Sequence, residues 1–169
     1  LMDGFVTEIG AELYYQKNNF IFMGGFSNGK LNQDVVNPEA TTAAIIGKIG
    51  YDKQVRENLR FRLTGSIYHS SKLKSVYLYS GDRTGSRFYN VIQPVGANAD
   101  FRAGRVNPGF KNKLTSLMFN NFIKFNSLEL FTTYETATGG DKSGSTESRT
   151  WNQFAIDAVY RFGNNDNFY

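Results

Sequence analysis

The chain has 169 residues, no cysteine, 15% aromatic and 20% charged residues, and a formal net charge of +4. That length suffices for one domain with its own core, and the missing cysteines exclude a disulfide-held scaffold and any thiol chemistry. The basic residues are scattered rather than gathered into one patch, which argues against a nucleic-acid partner, and no apolar run approaches the ~18 residues of a membrane helix.

Alternation of apolar and polar residues predicts seven strands, at about 4–15, 20–28, 42–52, 59–70, 114–125, 128–137 and 150–162. No segment sustains a helical stripe over a longer stretch than its two-residue period. The fold class expected is therefore all-β, an antiparallel up-and-down meander. The fourth strand is the clearest: Leu59, Phe61, Leu63, Gly65 and Ile67 share one face, while Arg60, Arg62, Thr64, Ser66 and Tyr68 share the other. Such a strand separates an apolar medium from a polar one.

Connections sort into two classes in strict alternation. "QKNN", "DKQVREN", "NS" and a final "GNNDN" before Phe168 and Tyr169 are short and polar, of the Asn/Asp/Gly turn type. The connections between them are long, the longest covering about 72–112. Short turns at one end and long loops at the other are the habit of outer-membrane barrels, with the turns periplasmic and the loops extracellular. The negative mean hydropathy, −0.41, does not oppose this, because a membrane strand needs only every second residue apolar.

Charge placement follows the same parity. Glu8 with Glu12, Arg60 with Arg62, Glu129 with Glu135 and Asp157 with Arg161 are each evenly spaced, so each pair shares a face. The opposite parity carries a run of apolar side chains in every strand, none of these positions charged, as a lipid-facing band requires. Tyr14, Tyr15, Phe20, Tyr51, Phe125, Tyr160 and Phe162 flank the short turns, and Phe26, Tyr68, Tyr134 and Trp151 lie toward the long loops. Two aromatic girdles are the expectation.

Three stretches hint at chemistry without completing it. "GGFSNGKL" approaches a phosphate-binding loop at Gly24, Gly29 and Lys30, but Leu31 occupies the place of the magnesium-holding hydroxyl and no helix follows. His69 stands next to Ser70 on a strand, where neighbours point to opposite faces, so the two are badly placed for nucleophilic catalysis. Asp141, Ser143, Ser145 and Glu147 offer alternating oxygens, yet the glycine of a calcium loop is misplaced. No enzyme activity, metal or other cofactor is expected.

The segments "LTGSIYH", "YSGDRTGSRFYNVI", "NPGFKNKLTS", "LELFTTYETATGG" and "WNQFAIDAVYRF" resemble porin-like outer-membrane β-barrel proteins of Gram-negative bacteria. The resemblance implies an outer-membrane location, lipid and lipopolysaccharide as surroundings, and a passive pore or structural role, alone, as an oligomer or beside other outer-membrane proteins. Such barrels close with an even number of strands. Residues 1–169 thus read as one barrel domain or a partial stretch of a larger barrel, the alternative being a compact eight-stranded barrel with a strand drawn from 72–112.

Two sets of basic residues are the candidate site. Lys48, Arg60, Arg62 and Lys124 share the polar parity and predict an anion-attracting stripe along a lumen, with Asp52 the acidic residue best placed to reach the arginine pair. Arg83, Arg87, Arg102 and Arg105, with Lys72, Lys74, Lys111 and Lys113, make the longest loop basic against only Asp82 and Asp100. That loop reads equally as an anion-attracting mouth or as a surface docking onto lipopolysaccharide or a neighbouring protein.

Overall fold

The computed structural model describes residues 8–29, 42–73, 108–140 and 147–162. Seven strands are present: β1 Gly10–Lys17, β2 Phe20–Ser27, β3 Ala44–Arg56, β4 Leu59–Leu73, β5 Lys111–Phe125, β6 Leu128–Gly140 and β7 Ser148–Tyr160. They form one sheet in sequence order, each strand antiparallel to the next. There is no helix among the described residues, and so none long and apolar enough to cross a membrane.

The tight turns explain how the chain reverses so sharply. Between β1 and β2 both turn residues are asparagines with positive φ, Asn18 at 50° and Asn19 at 69°. That conformation matches the right-handed twist of the flanking strands, and asparagine tolerates it better than most residues. Asn126 repeats the device at the β5–β6 turn with φ 50°, and its side-chain oxygen accepts a hydrogen bond from Asn58 Nδ2 of the neighbouring turn at 3.1 Å.

Most strand limits differ from the sequence expectation by one to four residues, and two of the shifts have a clear cause. β3 runs to Arg56, because a register shift between Gln54 and Arg56 absorbs one extra residue and leaves Glu57-Asn58 as the whole turn. The seven-residue connection "DKQVREN" is thus mostly strand with a bulge, which no alternation reveals. β5 starts three residues early, at Lys111, through a second irregularity in which Asn112 takes φ 67°. The first strand before Glu8, the end of the chain beyond Phe162 and any strand within 74–107 lie outside the described residues.

Register assigns every side chain to a face. One face carries Ile9, Leu13, Phe22, Phe26, Ile45, Ile49, Phe119, Phe154 and Ile156, several of them more than half exposed, up to 78% at Leu13. Near the short turns Phe20 packs on Tyr51 with ring centroids 4.9 Å apart, and Tyr160 on Phe162 at 4.8 Å. This face is charged at Lys17, Lys53 and Arg56, beside the short turns, and between that level and His69 it carries no charge among the described residues. The other face is polar and concave. Glu8, just before β1, accepts a hydrogen bond from the Tyr68 hydroxyl of β4 at 2.8 Å, which a flat sheet three strands wide would not permit.

Among the described residues the buried core is small and sits at the long-loop end of the concave face. Phe110, Leu114 and Ala137 are buried there, with Tyr68 and Trp151 packed against them. Gly139 makes room: a Cβ at that position would stand 2.6 Å from Phe110 Cδ1. Tyr68 and Trp151 therefore belong to this inner cluster, a correction to the outer girdle expected of them. Parity decides it, since Tyr68 pairs with Ser116 and Trp151 with Ala137, both on the concave side.

Candidate functional site

Lys48, Arg60, Arg62 and Lys124 all stand on the concave face, but their surroundings divide them. Arg60 and Arg62 converge on one carboxylate, Asp52 of β3. Arg60 donates from Nε to Oδ1 at 2.9 Å and from Nη2 to Oδ2 at 2.7 Å, a two-pronged geometry that fits a guanidinium to a carboxylate. Arg62 Nε donates to Oδ2 at 2.8 Å. Register accounts for the convergence, because Asp52 lies directly opposite Arg62 and two residues from Gln54, the partner of Arg60.

Arg60 also lies directly opposite Lys124, a like-charged pair that would repel. Each cation leans away to its own carboxylate. Lys124 Nζ reaches Glu129 across the two-residue turn at 3.0 Å. Glu129 in turn accepts from Arg161 Nε at 3.2 Å and Nη2 at 3.1 Å. Four cations, Arg60, Arg62, Lys124 and Arg161, thus share the short-turn end of the face with Asp52, Glu129 and Asp157. The expected basic stripe is largely compensated here. Glu129 is the partner sequence reading missed, although its place opposite Lys124 across "NS" was available as a signal.

Lys48 is different. It lies halfway along the sheet in a row that runs Tyr14, Met23, Lys48, Ser66, Met118, Glu135, Gln153 from β1 to β7. Its side chain is exposed and has no carboxylate partner among the described residues. Glu135, at the far side of the row, is 8% exposed and accepts from Ser116 Oγ at 2.6 Å. A cavity of about 450 Å³ lies over this row.

The remaining candidates separate. Gly24, Gly25 and Ser27 of the phosphate-loop-like stretch are in β2, extended strand rather than a phosphate cradle. His69 Nδ1 bonds Thr115 Oγ1 at 2.8 Å on the apolar face, while Ser70 is buried on the concave one. No metal-holding cluster of His, Cys, Asp and Glu occurs among the described residues. Arg83, Arg87, Arg102 and Arg105, together with Asp141, Ser143 and Ser145, lie outside the described residues. Comparison with protein families, curated proteins and solved structures finds no match to this chain.

Proposed function

We propose that the chain is part or all of a transmembrane β-barrel of a bacterial outer membrane and serves as a passive pore for small solutes, anionic ones included. The observation that carries this reading is the division of faces. A soluble monomer rarely leaves more than a few hundred Å² of contiguous apolar surface in water, and here large exposed apolar side chains of all seven strands line the outer face. Lipid is the solvent that suits it, and water the solvent that suits the charged concave face.

Planar-bilayer recording of the protein tests the pore directly, with stable ohmic steps as the expected result. A second reading, a non-conducting barrel that serves as scaffold in a larger outer-membrane complex, draws on the Phe110, Leu114 and Trp151 cluster filling the long-loop end of the concave face. Electrical silence together with proteins that co-purify in detergent would favour it. In either role the chain acts through its surfaces, with no reaction step assigned.

A further inference from the structure

An apolar pocket stands where a water-filled interior calls for polar side chains. Met23 lies directly beside Lys48 in the register, Ile46 is two residues along the same strand, and Met118 follows beyond Ser66. All three line the 450 Å³ cavity with Lys48, a volume within the range of small-molecule sites. Methionine is flexible and polarisable, suited to packing against chains of varied shape.

Within that pocket two polar groups have no assigned partner. Lys48 carries the one ammonium of the candidate set without a carboxylate, and Ser66, its register partner, makes no side-chain hydrogen bond among the described residues. Directly opposed residues hold their Cβ atoms about 5 Å apart, so an ammonium and a hydroxyl can each reach one oxygen of a single carboxylate. The opposing charge in the row, Glu135, is three strands away from Lys48 in the register. Glu135 lines the same cavity across the curl of the sheet, but it is buried and engaged by Ser116.

We propose that this pocket binds a small amphipathic monoanion, a carboxylate bearing a short apolar chain. Lys48 and Ser66 hold the carboxylate, and Met23, Ile46 and Met118 take the chain. One cation suits one negative charge; a phosphate dianion would need a second. The proposal deepens the pore reading, because it takes the concave face to be open to water.

Equilibrium dialysis of the full chain in lipid nanodiscs against octanoate, with empty nanodiscs subtracted, tests it. Saturable binding of one octanoate per chain is expected, weakened at least tenfold by Lys48→Gln and left unchanged by Lys53→Gln, the same charge removed from the opposite face. Acetate, with the charge and no chain, should compete poorly, and octyltrimethylammonium not at all. Absence of saturable binding, or equal binding by Lys48→Gln with its heat-modifiable migration intact, overturns the proposal; the former is also what a segment of this chain filling the pocket would give. Octanoate binding in a protein that conducts no current would overturn the pore and leave the ligand site standing.

Discussion

Asp52 holds two guanidiniums that sit about 7 Å apart along one strand. With both guanidiniums largely exposed, the pairing contributes about 1 kcal/mol or less to stability, so its main effect is on the local field. Asp52→Asn leaves Arg60 and Arg62 uncompensated and should shift reversal potentials toward anions. Replacing both arginines by Gln leaves Asp52 negative and should shift them toward cations, with heat-modifiable migration unchanged in both variants. If neither variant moves the reversal potential, the pair does not face the conduction path. The Asp52 pairing was legible from shared parity and nearness to the turn, whereas the register that sets it opposite Arg62 rests on the bulge between Gln54 and Arg56, which was not. The Glu8 to Tyr68 contact was not, because it depends on how far the sheet curls, and no local pattern encodes curvature.

Hairpins and the inner cluster set the scale above. Asn19 at φ 69° occupies the left-handed region, where a β-branched side chain is strained by about 1–2 kcal/mol. Asn19→Val should slow refolding into detergent and lower the urea midpoint, and Asn19→Gly should not. At the other end of the sheet, Gly139→Ala pushes a methyl group into the Phe110 ring, an overpacking that costs about 1–3 kcal/mol. Trp151 is the single tryptophan of the chain and packs on that same cluster, so a red shift in its emission is the expected readout. Strand interiors were read well because a period of two repeats over many residues. The Phe110 cluster was not foreseen, since Pro108, Gly109 and Phe110 precede β5 without alternation.

For the molecule as a whole, the decisive variable is the solvent of the apolar face. Phe119 is 51% exposed near the middle of β5. In a protein surrounded by water, Phe119→Arg would change stability by about 0.5 kcal/mol or less. Facing lipid, the same substitution costs about 2–4 kcal/mol at mid-bilayer. Folding titrations into phosphatidylcholine vesicles separate these values, and a loss under 0.5 kcal/mol would remove the membrane reading.

A meander reverses direction at every turn, so β1 and β7, six reversals apart, point the same way. Both run from the end of the long connections to the end of the short turns. They cannot be each other's antiparallel neighbours, and any antiparallel ring containing them inserts an odd number of strands between them. The described sheet is therefore entered at one rim and left at the other. In a membrane those rims belong to different compartments, which a chain free of cysteine makes easy to address. A bulky impermeant maleimide added to intact cells should modify Glu147→Cys, beside the start of β7, and spare Asn126→Cys until the outer membrane is opened.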